Sequence, residues 1–155
     1  MYKSYLPYLQ HIFDECLYVR SVITDEMQQG QFLQDETLKR AVTRSLSIIG
    51  EATKKIPANV KYAWQSISWR EMAGMRDKLV HDYMGVNYYI VWDVAKNIIP
   101  TLTTQIETII AISVFFDREP ASDDSETDGP LSVFMTVCRF FSIFRANLSL
   151  TKRFP

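Results

Sequence analysis

The sequence predicts an all-α fold, an antiparallel four-helix bundle followed by a C-terminal extension. Apolar residues recur at three- and four-residue steps in four long segments, which is the pattern of helices with one buried face. No segment shows the alternation of a strand, and the connections between the four segments are short, which favours antiparallel neighbours. With 155 residues, 47% of them hydrophobic, the chain is long enough to bury a proper core.

The first helix is predicted from about residue 6 to residue 24, and Gly30 interrupts the polar run after it. The apolar positions of this helix are Leu9, Ile12, Phe13, Cys16, Leu17, Val19 and Ile23. The second helix is predicted from near Asp35 to Lys55, and Pro57 ends it because the residue before a proline avoids helical geometry. Its apolar line is Leu38, Ala41, Val42, Leu46, Ile49 and Ala52.

The third helix is predicted to begin after Ser68, which forms a capping-box pattern with Glu71. Its apolar residues are Met72, Met75, Leu79 and Val80, and Gly85 is the predicted break after it. Asn87 is the predicted N-cap of the fourth helix, which extends from residue 88 to about residue 113. Pro100 lies inside this helix and should kink or split it.

The chain divides by composition into a helical domain, residues 1–114, an acidic linker, residues 115–130, and an apolar and basic extension of unknown role, residues 131–155. The linker prediction rests on six acids against one arginine between Asp117 and Pro130. Arg139 and Arg145 lie within the apolar run and would each cost roughly 2.5–3.5 kcal/mol in a bilayer, so we expect no membrane anchor. The alternatives are a partly ordered helix packed on the bundle or on a partner, and an accidental extension.

Composition limits the functional classes only in part. The formal net charge is −1, so no overall basic field indicates nucleic acid, although a local patch would suffice for a nuclease. Cys16 and Cys138 are far apart and have neither metal-ligand nor disulfide spacing, which favours a reducing cytoplasm. The first residues contain no apolar signal-peptide core. No metal or cofactor is predicted, and no glycine-rich phosphate loop is visible.

The segment Arg76-Asp77-Lys78-Leu79-Val80-His81-Asp82-Tyr83 carries the candidate chemistry. A histidine near an arginine is a minimal combination for transferring a proton beside a phosphate. Asp77 precedes His81 by one helical turn and would hold the imidazole in one tautomer. Arg76 and His81 are about 140° apart on an ideal helix, so two copies facing each other across a two-fold axis would make a better site than one.

Structural interpretations of the same residues remain open. His81 would then only cap a helix end, Arg76 would pair with Asp77, Asp82 or Glu51, and Tyr83 would be an ordinary half-buried tyrosine. His11 is expected at the surface or the edge of the core. The aromatic residues expected in the core, and not as platforms for bases, are Trp64, Trp69, Tyr88, Tyr89 and Trp92. Lys54, Lys55 and Lys61 are expected on a solvated face.

Three blocks of sequence resemble the HepT-like branch of the HEPN superfamily. They are RSLSIIGEATKKIP (44–57), SWREMAGMRDKLVHDYMGVNYYIVWDV (68–94) and IIPTLTTQIETII (98–110). The spacing between the blocks also matches, and the resemblance covers about residues 5–112. The Arg-x-x-x-x-His-x-Tyr element lies where the family has it, whereas the chain from about residue 115 onward matches nothing expected of this family.

The resemblance implies an all-helical, HEPN-type ribonuclease toxin that forms a homodimer, with the two motifs meeting in a cleft. Arg76 and His81 would be catalytic, with Asp77 and Glu51 as support. Gly50, next to Glu51, would allow close approach of two helices. An MntA-like nucleotidyltransferase antitoxin would add AMP to Tyr83, and the added bulk and negative charge would keep RNA phosphates out of the cleft.

The sequence supports three functional hypotheses. The first is a metal-independent endoribonuclease toxin that cleaves messenger or transfer RNA, the target being unreadable because no base-reading motif is visible. The second is a non-catalytic helical dimer that binds and regulates a nucleotidyltransferase, which the neutral bundle slightly favours. The third is a family member disabled by its tail. The expected location is the cytoplasm.

Overall fold

The computed structural model describes residues 5–81 and 85–117, which are mostly helical and contain no strand. This confirms the all-α prediction. The helices are α1 (Leu6–Val22), α2 (Gln29–Gln34), α3 (Glu36–Lys55), α4 (Ala58–Ala63), α5 (Trp69–His81), α6 (Tyr88–Asp93) and α7 (Ile99–Asp117), with a π-helical segment (Val94–Ile98) between α6 and α7. The described residues all belong to one compact unit, Met1–Pro120.

Helix α3 lies at the centre of the packing, because it contacts both α1 and α5, while α1 also packs against α7. The predicted apolar spacing of α1 places Leu9, Ile12, Cys16 and Val19 in the core. Leu17 was predicted on the same face, but the structure leaves it 43% exposed. That prediction was wrong because Leu17 follows Cys16 by about 100° and so turns out of the buried stripe. The antiparallel arrangement of the four long helices stays a prediction.

The ends of α3 are explained by local chemistry. The Asp35 carboxylate accepts a hydrogen bond from the Leu38 N–H and caps the helix, whose start was predicted near this residue. Pro57 comes two residues after Lys55, the last residue of α3, and is itself the N-cap of α4. Likewise, the Asn87 side chain accepts hydrogen bonds from the N–H groups of Tyr89 and Ile90 and caps α6.

The proline in the fourth predicted helix is accommodated without a break. The π-helical segment precedes Pro100, and at its end the Ile99 N–H donates to the Val94 carbonyl. A proline in a regular helix clashes with the carbonyl four residues earlier, and the wider π turn relieves that clash. Helix α7 continues to Asp117, three residues beyond the predicted end of the helical domain. The predicted linker was 115–130; its residues from 118 onward, and the predicted extension 131–155, lie outside the described residues.

Burial decides the outcome of the remaining sequence predictions for the core. Trp69 and Trp92 are buried, and Trp64 and Tyr88 pack partly buried against the core, as predicted. Tyr89 is 62% exposed, so its predicted core position was wrong, since the core face of α6 is taken by Val91 and Trp92.

The buried cysteine of α1 is chemically quiet. Burial raises the pKa of the Cys16 thiol to about 12, so this thiol stays protonated and unreactive at neutral pH.

Candidate active site

The position of the candidate site depends on a close contact between α3 and α5. A Cβ atom added at Gly50 would lie 2.4 Å from the Arg76 Cβ and 2.7 Å from the Met72 carbonyl oxygen. No larger residue fits there without a shift of one helix. The expectation that Gly50 permits close helix approach is therefore confirmed, and the residue whose Cβ it contacts is Arg76.

Two carboxylates hold the guanidinium of Arg76. Its Nε lies 3.0 Å from Glu51 Oε2, and its Nη1 lies 3.1 Å from Asp77 Oδ1. The Arg76 side chain is 25% exposed, whereas those of Glu51 and Asp77 are about half exposed. Because the pairs are partly desolvated and share one guanidinium, they restrict its orientation more than a single surface salt bridge would.

Asp77 also pairs with a lysine of the neighbouring helix. Lys54 Nζ lies 2.5 Å from Asp77 Oδ1, the oxygen that Arg76 also contacts. The Lys54 hydrogen bond, with a further one from Arg76, lowers the pKa of Asp77 below its ordinary value, so the carboxylate is charged at neutral pH. Lys54 is exposed, as predicted, and the close packing of α3 and α5 also lets it form this ion pair, which the sequence did not predict.

His81 is the last described residue of α5 (Trp69–His81), and its predicted place at a helix end stays a prediction because residues 82–84 lie outside the described chain. Its backbone lies about 7.5 Å along the helix axis from that of Arg76, at 1.5 Å per residue. The side chain of His81, together with the whole of Asp82 and Tyr83, lies outside the part of the chain that the structure describes. The predicted contact of the imidazole with Asp77 and the alignment of Tyr83 with Arg76 therefore stay predictions.

A groove of about 270 Å³ opens beside Arg76, between α1, α3 and α5. Among its lining residues are Tyr8 and His11 from α1, Arg44 and Glu51 from α3, and Arg76. His11 is exposed, as predicted for a surface position, but it shares this groove with the candidate catalytic arginine.

Sequence reasoning found Arg76, Asp77 and Glu51 but missed the groove. One signal was present, because Arg44, Glu51 and Lys55 are spaced by seven and four residues and so share one face of α3. Lys55, which was predicted on a solvated face, lines the groove with them. The contribution of α1 depends on helix packing and has no counterpart in local sequence.

Within the ranges 5–81 and 85–117, no group of three or more His, Cys, Asp or Glu side chains is placed to hold a metal ion.

The helices of the described residues include none with both the length and the apolar character needed to cross a membrane.

Comparisons with known proteins match most of the described chain. The family model "Ribonuclease HepT-like" matches residues 12–109. The protein named "Putative RNase TTE0752" of Caldanaerobacter subterraneus subsp. tengcongensis is 42% identical over 108 residues, which cover 70% of this chain and 96% of the relative. No solved structure matches the chain.

Two archaeal relatives show the same degree of similarity. The protein named "Putative RNase MJ0125" of Methanocaldococcus jannaschii is 42% identical over 101 residues, 64% of this chain and 87% of the relative. "Probable ribonuclease HepT" of Thermococcus cleftensis is 41% identical over 109 residues, 70% of this chain and 98% of the relative. The similarity therefore covers nearly the whole of these shorter proteins.

Proposed function

The chain belongs to the family of HepT-like ribonucleases, and from this premise we propose that it is a metal-independent endoribonuclease toxin of a toxin–antitoxin pair. The family membership confirms the resemblance read from the sequence and makes the chain a ribonuclease. The observation that carries the proposed chemistry is the fixed Arg76 guanidinium, held by Glu51 and Asp77 at the wall of an open groove, five residues before His81.

RNA supplies its own nucleophile, the 2′-hydroxyl, so the protein needs only to transfer protons and stabilise charge. His81 acts as general base or acid on the hydroxyl and on the leaving oxygen. Arg76 stabilises the charge that develops on the phosphate oxygens, and its two carboxylate partners keep it oriented before RNA binds. Asp77 orients the Arg76 guanidinium, and in the proposed active site it also holds the His81 imidazole.

Assembly of the site across a homodimer is part of the proposal. Positions 76 and 81 are about 140° apart on an ideal helix, so a second copy of α5 would bring the two groups of different protomers together. Mixing R76A and H81A variants tests this. If the site is shared between protomers, heterodimers contain one intact site and the mixture recovers about a quarter of wild-type activity at random pairing. If each site lies within one protomer, the mixture stays inactive.

The proposed regulator is an MntA-like nucleotidyltransferase that attaches AMP to Tyr83. A phosphodiester on Tyr83, two residues after His81, would place negative charge near Arg76 and repel the RNA phosphate. Mass spectrometry of the protein co-expressed with this partner should show added AMP on Tyr83. Modification confined to other residues would remove Tyr83 from the proposed control.

The central experiment is RNA cleavage by the purified protein in the presence of a metal chelator. We expect products with 2′,3′-cyclic phosphate ends, and loss of at least about 100-fold in rate for H81A and R76A, as for removal of an acid–base group or a charge stabiliser. The matched control is R70A, an exposed arginine of α5 that lines no part of this groove. Cleavage that stops with chelator, or that survives in H81A, would contradict the mechanism.

The alternative is a non-catalytic helical dimer that binds and regulates a nucleotidyltransferase. Two observations favour it: residues 1–116 carry twelve basic and twelve acidic side chains, and α6 with the π-helical segment exposes Tyr89, Ile90 and Ile98. Tyr89 and Ile90 are adjacent in the chain, and contiguous exposed apolar side chains are typical of protein-binding surfaces. Tight complex formation with the nucleotidyltransferase, together with no RNA turnover by the free protein at high concentration, would support this alternative.

A further inference from the structure

The groove beside Arg76 has an excess of unpaired positive charge. Arg44, Lys55 and Arg76 line it, and Glu51 is the one acidic side chain among its described lining residues. Glu51 is already paired with Arg76. Within the described part of the chain neither Arg44 nor Lys55 forms a salt bridge or a side-chain hydrogen bond. Two cations are therefore available to an anionic ligand in a bundle whose total charge is balanced.

The two free cations lie on either side of the Arg76 contact along α3. Lys55 follows Glu51 by four residues and Arg44 precedes it by seven, which corresponds to about 6 Å and about 10 Å along the helix axis. All three side chains line the same groove. A polyanion that follows α3 would thus meet a cation before, at and after the candidate catalytic arginine. An isolated phosphate would need only one of these positions.

The α1 wall of the groove adds an aromatic surface. Tyr8 lines the groove and is 38% exposed, so part of this residue is open to a ligand. His11 lies one turn further along α1 and lines the same groove. Basic side chains that track a backbone, combined with an aromatic ring on which a base stacks, are characteristic of single-stranded nucleic acid binding. A duplex keeps its bases stacked and offers none to Tyr8.

We propose that this groove is a binding site for single-stranded RNA flanking the phosphate that Arg76 engages. Arg44 and Lys55 contact backbone phosphates on the two sides of that phosphate, and Tyr8 stacks against an adjacent base. The inference rests on the proposed ribonuclease function and assigns it a substrate form, an unpaired RNA segment. It gives the enzyme contacts with the RNA backbone and with a base face, neither of which selects a sequence.

Binding is measured with a fluorescent, uniformly 2′-O-methylated oligouridylate, which lacks the free 2′-hydroxyl and so is not cleaved. Each phosphate contact on a single strand contributes about 0.7 to the slope of log affinity against log salt. The double variant Arg44→Gln, Lys55→Gln should reduce this slope by about 1.4. Between about 50 and 200 mM salt the wild type should then lose about sevenfold more affinity than the double variant. Arg20→Gln, which removes an exposed arginine of α1 outside the groove, should keep the wild-type slope.

The stacking contact has its own pair of variants. Tyr8→Ala should weaken binding of the same probe by about fivefold or more, because a stacked base contributes at least about 1 kcal/mol. Tyr8→Phe keeps the ring and should bind like the wild type. A hairpin probe of the same length, with its bases paired, should bind more weakly than the unpaired probe. Equal binding of the two probes would overturn the assignment to single-stranded RNA.

The outcomes separate this inference from the proposed function. If the wild type cleaves RNA while the double variant keeps the wild-type salt slope, the groove assignment is wrong and the ribonuclease proposal stands. If the wild type neither cleaves RNA nor binds the probe, both are wrong. Sedimentation of the variants gives the remaining check, since a changed oligomeric mass in the double variant would make the groove a subunit contact and overturn its assignment to RNA.

Discussion

A methyl group added at Gly50 tests whether the close approach of α3 and α5 positions Arg76. The new Cβ would lie 2.4 Å from the Arg76 Cβ and 2.7 Å from the Met72 carbonyl oxygen. Both atoms are fixed to the backbone of α5, so rotation of a side chain cannot remove the overlap. Non-bonded carbon atoms attract each other only at separations of about 3.5 Å or more, so the two helices would have to separate locally by about 1 Å.

The expected free-energy change is the difference of two opposing terms. Overpacking of this kind costs about 1–3 kcal/mol, and overlap with two backbone-bound atoms places G50A near the upper value. Alanine is more favourable than glycine inside a helix by about 1 kcal/mol. The net expectation for G50A is a loss of about 2 kcal/mol in the free energy of unfolding.

Gly74 provides a matched control, because it is a helical glycine of α5 whose added Cβ would meet nothing within 4 Å. G74A should gain only the helix propensity and be more stable than the wild type by about 0.5–1 kcal/mol. Urea unfolding followed by circular dichroism measures both values, and the two variants should differ by about 3 kcal/mol. Equal stability of G50A and G74A would refute the steric argument.

The same helix shift should affect catalysis. Displacement of a positioning group by about 1 Å can lower a rate by about 100-fold, so G50A should cleave RNA far more slowly than the wild type at a temperature where it is fully folded. G74A should retain wild-type activity. A folded, destabilised G50A protein with full activity would show that Arg76 is not positioned through Gly50.

Three further predictions concern stability. Burial raises the folded-state pKa of Cys16 to about 12 from 9.0, so the free energy of unfolding falls as pH rises from 9 toward 12. Relative to C16A, the free energy of unfolding of the wild type, measured with urea, should fall by about 1.4 kcal/mol between about pH 8 and pH 10. The folded-state pKa of Asp77 is lowered below 3.8, so the stability that its carboxylate contributes is present above pH 3.8 and is lost as pH falls through the folded-state pKa. The difference in melting temperature between the wild type and D77N should therefore persist at neutral pH and disappear in acid. Removing the α3 cap with D35A should cost about 1 kcal/mol in the same unfolding assay, whereas D25A, outside any described helix, should cost little.

Local sequence chemistry was sufficient to place the long helices. The Asp35 cap, Pro57 and the Asn87 cap each act through neighbouring backbone groups, so their effect is visible without the rest of the fold. The short helices α2 and α4 were missed for the opposite reason. Phe32 is the one fully buried side chain of α2, whose remaining sequence is mostly polar, and six residues do not establish a helical period. Tertiary packing of that single aromatic residue, not periodicity, orders the segment.

The residues of the candidate site could be predicted from the sequence, but the contacts between helices that join them could not. The order Arg76-Asp77 and the Gly50-Glu51 pair were readable, since each lies within one continuous segment. The ion pair between Lys54 and Asp77 joins residues 23 positions apart, and no local rule specifies the register of α3 on α5. The groove was still harder to predict from local sequence, because Tyr8 and His11 line it only through the packing of α1 on α3.

One turn of α3 contributes both to the close approach of Arg76 and to the orientation of its guanidinium. Gly50 supplies the space that lets the Arg76 Cβ approach, and Glu51, the next residue, turns by about 100° toward the groove and binds Nε. Arg76 is therefore held partly from a neighbouring helix, in addition to its contact with Asp77 on its own helix. A second protomer would not need to orient the arginine. It would need only to deliver an imidazole to a guanidinium already in place, and this is why exchange of subunits between R76A and H81A variants is expected to restore activity.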